Sequence, residues 1–154
     1  MTERPLRQAT AEDADAITTL VDRAYRKYLP RIGRPPSPMT DDYHAVVHDH
    51  DVWVVDGPET IEAVLVLIPD PDALFIDNIA VEPSRQQAGL GRMLMDFAED
   101  EARRLGLPAL TLVTNEHMTE NIVFYTRIGF VETRRELRRG SYTVHMRKEF
   151  LTES

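Results

Sequence analysis

The chain contains no cysteine. That excludes disulfides, thiolate metal sites and a cysteine nucleophile, and it fits a cytoplasmic location. No apolar run approaches the ~20 residues that a membrane-crossing helix needs, so no membrane partner is expected. The opening Thr2-Glu3-Arg4-Pro5 does not read as a secretory signal, and none is expected. An excess of basic charge is missing as well. Lys and Arg number 18 against 26 Asp and Glu, and the resulting net charge of −8 argues against a nucleic-acid partner. It suits a cationic substrate, through steering rather than chemistry. The 154 residues, 42% hydrophobic and 29% charged, have the makeup of an ordinary globule. They are enough for one domain, 1–154, that buries about 70% of its unfolded surface.

Several chemical signatures are absent too. His44, His48 and His50 include a pair at helical spacing, but no His-Glu-x-x-His pattern accompanies them, so no metal is expected. No Ser-His-Asp arrangement stands out. The full Gly-x-Gly-x-x-Gly of a dinucleotide fold fails at Leu94, and no Gly-Lys-Ser/Thr marks a P-loop.

What is present is a glycine-bearing turn, Gln86-Gln87-Ala88-Gly89-Leu90-Gly91. A strand-like run, Leu74 to Val81, precedes it and Glu82-Pro83-Ser84 closes that run. A helix follows, with Leu90, Leu94, Phe97, Ala98 and Leu105 spaced to share one face. The first N–H groups of a helix have no partner inside it, and its dipole favours an anion there. Glycine lets backbone approach a ligand and take positive φ at little cost. The turn is therefore expected to hold a phosphorylated ligand.

The Gln-x-x-Gly-x-Gly at 86 to 91 resembles the acyl-CoA pyrophosphate loop of the GNAT superfamily of N-acetyltransferases. Downstream, Asn121-Ile122-Val123-Phe124-Tyr125-Thr126-Arg127-Ile128-Gly129-Phe130 is similar to its second signature, Asn-x-x-x-Tyr-x-x-x-Gly-Phe. The resemblance covers roughly residues 4 to 149 and is firmest from 74 to 130. Gln87 stands where many members carry glycine.

Along the chain, Leu6 to Ala9 reads as a strand. Thr10 is a candidate N-cap with Asp13 in a capping-box position, opening a helix over about 11–28 that carries Ile17, Leu20, Val21, Ala24 and Tyr28. The proline-rich Leu29 to Pro38 is expected to be loop. A second helix is expected over about 40–48, starting near Thr40. Strands are expected at Val52–Val55, Ile61–Ile68 and up to Val81. Gly106 and Pro108 end the main helix. Strand Leu110–Thr114, a helix over about 119–128 and a hairpin turning near Arg139-Gly140 complete the order β-α-α-β-β-β-α-β-α-β-β. This is an α/β (α+β) fold of the order the superfamily shows, a mixed, mostly antiparallel sheet of about seven strands with about four helices. Arg134, Arg135, Arg138, Arg139, Arg147 and Lys148 cluster in the hairpin and read as a solvated face.

The resemblance implies acetyl-CoA as acyl-donor cosubstrate and transfer of its acetyl group to a primary amine by direct attack in a ternary complex. It implies cofactor contacts from the backbone of Ile79, Ala80 and Val81, from Gln86, Gln87, Ala88, Gly89, Leu90, Gly91 and Arg92, and from Asn121. Tyr125 is implied as general acid, and Asp77 or Glu82 as general base, with relayed water as an alternative. The acceptor is expected to be a small amine, a protein N-terminus or a lysine, shaped by residues 11–43. Tyr25, Tyr28 and Trp53 read equally as pocket wall or core. A non-catalytic acyl-CoA-binding module is the other reading, and a homodimer is compatible with the resemblance.

Overall fold

A computed structural model describes residues 6–150, and the side chains of Gln87 and Ala88 lie outside the described residues, as does the Thr2-Glu3-Arg4-Pro5 stretch. Seven strands form one sheet: β1 (Leu6–Gln8), β2 (Asp51–Asp56), β3 (Ile61–Pro69), β4 (Leu74–Val81), β5 (Ala109–Asn115), β6 (Val131–Arg138) and β7 (Ser141–Glu149). Their spatial order is β1-β2-β3-β4-β5-β7-β6. All neighbours are antiparallel except β4 and β5. That parallel pair needs a crossover, which helix α4 (Leu90–Arg104) supplies.

β3 lies between two neighbours and is buried on both faces, so its sequence reads Ile-Glu-Ala-Val-Leu-Val-Leu-Ile without polar alternation. On one face, α1 (Ala14–Tyr25) packs Ile17, Leu20 and Val21 with Val52, Val54, Val64 and Val66. On the other, α4 packs Leu90, Leu94 and Ala98 with Val55, Leu65, Leu67, Leu74 and Ile76. Leu105, expected on the α4 stripe, lies just past the helix and is exposed.

Three expectations about the helices and loops of residues 11–48 are corrected. The segment expected to be loop contains α2 (Leu29–Ile32), followed by a 3-10 turn, Ser37–Thr40. Pro30 stands in the first turn of α2, where the lost N–H has no helical partner to forfeit, so proline starts this helix rather than preventing it. The next helix, α3 (Tyr43–Asp49), begins later than expected: Asp42, not Thr40, caps it by accepting from the His44 N–H at 3.0 Å. The expected 11–28 helix is also divided, into 3-10 turns at Ala11–Asp13 and Arg26–Tyr28 around α1. Its capping box is present: the Thr10 N–H donates to Asp13 Oδ2 at 2.7 Å.

Candidate functional site

The site is created where β4 and β5 stop pairing. Their ladder joins Leu74, Phe75 and Ile76 to Leu110, Thr111 and Leu112 and then ends. In β4 the register against β3 shifts between Leu67↔Ile76 and Val66↔Asn78, which leaves Asp77 as the extra residue of a β-bulge. One added residue reverses the phase of every later side chain. Leu74 and Ile76 face α4, and beyond the bulge Ile79 and Val81 face it too, while Asn78 and Ala80 turn to the α1 side.

The backbone phase follows from the same register. The Glu82 N–H donates to Glu62 O at 2.8 Å, so Glu62 and Glu82 form a hydrogen-bonded pair. Such pairs alternate along an antiparallel ladder. Val64/Ala80 is then hydrogen-bonded, and the N–H and C=O groups of Ile79 and Val81 point away from β3 into the gap. Side chains crowd both carbonyls: the Tyr25 hydroxyl, whose single proton is shared with Asn78 Oδ1 at 2.9 Å, is 3.2 Å from Ile79 O, and Gln86 Nε2 donates to Val81 O at 3.4 Å. The edge therefore offers N–H groups to a ligand.

At the wide end of the gap, a 3-10 turn (Pro83–Ala88) leads through Gly89 into α4. Gly89 has φ +80°, the left-handed conformation that non-glycine residues avoid. The first N–H groups of α4 are free of helical partners, although its N-terminal Leu90 side chain is core. A Cβ on Gly91 would stand 3.4 Å from the Phe124 ring, in the space between α4 and α5 (Thr119–Arg127). Two ion pairs anchor the turn, Arg23–Glu82 at 2.7 Å and Arg85–Glu62 at 3.1 Å, the latter on a buried carboxylate.

A cavity of about 250 Å³ occupies the gap. Of the expected site residues, Ile79, Ala80, Val81, Gln86, Gly91, Asn121 and Tyr125 line it. Tyr25 and Tyr28 line it too, whereas Trp53 packs against Phe97 in a tilted ring contact, 4.7 Å between centroids, on the α4 face. Tyr125 is buried between Phe124 and Phe130, and burial raises its pKa well above the ordinary tyrosine value, so it keeps its proton at neutral pH. Asn121 is the third residue of α5 rather than its cap, and its Oδ1 accepts from the Tyr28 hydroxyl at 3.4 Å. Burial, with Glu120 nearby, pushes Tyr28 up to about 12.

Gly89 and Leu90 of the turn are not in the cavity wall, and the charged residues Arg92, Glu82 and Asp77 also lie apart from it. Arg92 is exposed and pairs with Asp96 at 3.7 Å. Glu82 is held by Arg23. Asp77 is half-buried at the bulge, where burial raises its pKa and His50 opposes the shift; burial and Asp77 together raise Asp41. His44 and His48 each contact a carboxylate, Asp15 and Asp49. Among the described residues no three metal-binding side chains converge. Lys27, Glu120 and Asn78 are neighbours of the site that sequence reasoning did not single out. Asn78 meets Tyr43 and Tyr25, 35 and 53 positions away, and Lys27 pairs with Glu120 from the other end of the chain, so no local pattern marks them.

The profile of the Acetyltransferase (GNAT) family matches residues 15–130. The chain belongs to this family. Among curated relatives, the [ribosomal protein bS18]-alanine N-acetyltransferase of Escherichia coli (strain K12) is 35% identical over 87 residues, 56% of either protein. The chain thus spans little more than half the length of such relatives. Solved GNAT structures share the fold across nearly the whole chain. The Escherichia coli ribosomal-protein-S18-alanine N-acetyltransferase superposes with TM-score 0.78 at 19% identity, covering 99% of this chain and 97% of that one. The PaiA N-acetyltransferase of Thermoplasma acidophilum, in complex with coenzyme A, gives 0.79 at 12% identity, covering 97% and 100%.

Proposed function

We propose that this GNAT protein transfers an acetyl group from acetyl-CoA to a primary amine by direct attack in a ternary complex. The observation that carries the reading is the splayed β4 edge. It presents the N–H groups of Ile79 and Val81 in a gap that runs up to the N-terminus of α4. The fit to acetyl-CoA rests on this donor set: helix N–H groups suit a pyrophosphate, and an extended arm finds a strand edge. When bound, acetyl-CoA supplies an activated acetyl thioester.

The chain's residues then divide the work. The backbone from Gln87 to Arg92 holds the anion at the α4 N-terminus. The Ile79 N–H polarises the thioester carbonyl, since by the same alternation the Ala80 N–H points back to Val64, and such a preorganised donor is worth about 3 kcal/mol in the transition state. Asn121 contacts the arm. Asp77 takes the proton from the attacking ammonium, a role its raised pKa suits better than Glu82's ion pair with Arg23. The freed amine attacks, the new C–N bond forms and the C–S bond breaks; Tyr125 gives its proton to the departing sulfur, and the second proton shed by the nitrogen restores the phenol. Burial disfavours a phenolate at Tyr125, and it equally disfavours the thiolate that the proton quenches.

The test is calorimetric titration with acetyl-CoA, using dephospho-CoA and adenosine fragments as controls, followed by an amine panel read by free thiol release. Binding that needs the pyrophosphate is expected. A folded sample that binds no acetyl-CoA overturns the proposal. Thiol release with no amine of the panel, despite tight binding, favours a non-catalytic acyl-CoA-binding module.

A further inference from the structure

We propose that Tyr25 is the acyl-length stop of the donor channel and restricts the transferred group to acetyl. The inference rests on the reading above that the donor lies in the β4–β5 gap. The cavity lining runs from Gln86 and Gly91, past Val81, to Ile79. Tyr25 lines it there, with its hydroxyl 3.2 Å from Ile79 O and 2.9 Å from Asn78 Oδ1. A donor with its charged end at α4 and its arm along Val81 directs its acyl carbons at this phenol.

A stop must not swing aside, and four elements hold this one. Tyr25 and Asn78 are only 7% and 3% exposed. Asn78 Oδ1 accepts from Tyr25, and its Nδ2 donates to the Tyr43 oxygen at 2.9 Å. The Tyr43 hydroxyl in turn donates to Pro38 O at 2.6 Å. Rotating Tyr25 away would leave buried polar groups on Tyr25 and Asn78 without partners. The Tyr28 ring lies against it at 6.2 Å between centroids. The bulge at Asp77 is what turns Asn78 to the α1 side and makes the tether possible. An acyl chain longer than acetyl meets a hydroxyl that is fixed and already hydrogen-bonded. A pocket that refuses one methylene discriminates by roughly 10–200-fold.

The experiment is calorimetry of the full chain with CoA, acetyl-CoA, propionyl-CoA and butyryl-CoA. Wild type is expected to bind butyryl-CoA at least ~10-fold more weakly than acetyl-CoA. Tyr25→Phe shortens the stop by one atom and should admit propionyl-CoA. Tyr25→Leu should bring butyryl-CoA within about threefold of acetyl-CoA, well inside that discrimination. Circular dichroism checks folding. If Tyr25→Leu does not fold, Asn78→Ser is the second variant, since it frees the hydroxyl, keeps the ring and should narrow the preference. Equal wild-type affinity for butyryl- and acetyl-CoA overturns the stop. So does a folded Tyr25→Leu protein that binds acetyl-CoA and still refuses butyryl-CoA. A wild type that binds neither CoA nor acetyl-CoA overturns the donor reading itself.

Discussion

Gly89 and Tyr125 carry the sharpest consequences at the scale of single residues. Gly89 sits at φ +80° with open space around it, so Gly89→Glu strains the backbone and sets a carboxylate at the anion end of α4. The expected outcome is loss of acetyl-CoA binding by calorimetry with the fold retained. Tyr125→Phe removes only a hydroxyl, so turnover should fall on the order of 10²-fold while the affinity for acetyl-CoA stays within about twofold. Full activity of the Phe variant at all pH values would show that Tyr125 is not the acid. Because burial raises Tyr125, no alkaline limb near its ordinary pKa is expected from it. Asp77 is also raised, and it must be ionised to act as base. Activity should therefore fall on the acid side at a pH above the usual aspartate value, and Asp77→Asn should abolish that limb in a pH–rate profile.

Elements are joined by two polar assemblies whose loss is measurable. Asn78 ties β4 to α1 and α3 through two tyrosines, so Asn78→Leu removes the acceptor 2.9 Å from the Tyr25 hydroxyl and the donor to the Tyr43 oxygen. A cost of about 2 kcal/mol, on the order of 5 °C in melting temperature, is expected. At the sheet edge, Arg7 of β1 holds Asp13 and Asp56, with its Nε 2.7 Å from Asp56 Oδ2. This pairing lowers Asp13 to about 2. A depressed carboxylate stabilises the fold fully above its unfolded value of about 3.9, and that stability is lost as pH falls through about 2. Acid unfolding of Arg7→Met should lack this contribution, shown by a smaller pH dependence of the melting temperature between pH 4 and 2.

For the whole molecule, the continuous sheet carries a core on each face, so both halves should melt together. The single Trp53, packed against Phe97 in the α4 core, makes this testable. Its fluorescence transition should coincide with the loss of far-UV circular dichroism, as one domain requires. Apart from Arg139, the basic residues named in the hairpin are paired with carboxylates. Arg134 and Arg138 pair with Glu136, Arg135 with Glu132, Arg147 with Glu149, and Lys148 with Glu99.

The sequence by itself determined the succession of strands, the two core stripes and the glycine turn before α4, because helix and strand periods and glycine positions act over a few residues. Ile17, Leu20 and Val21 on α1 and Leu90, Leu94 and Ala98 on α4 announce their faces through spacing alone. Pro30 misled because proline is a barrier inside a helix and an asset at its start, and which applies depends on where the preceding helix ends. Only the tertiary structure decided where the β4–β5 ladder stops, that Asp77 bulges, and that Tyr25, Asn78 and Tyr43 meet. Those facts arise from pairing between strands and helices far apart in the chain, where one inserted residue changes which face each side chain reaches.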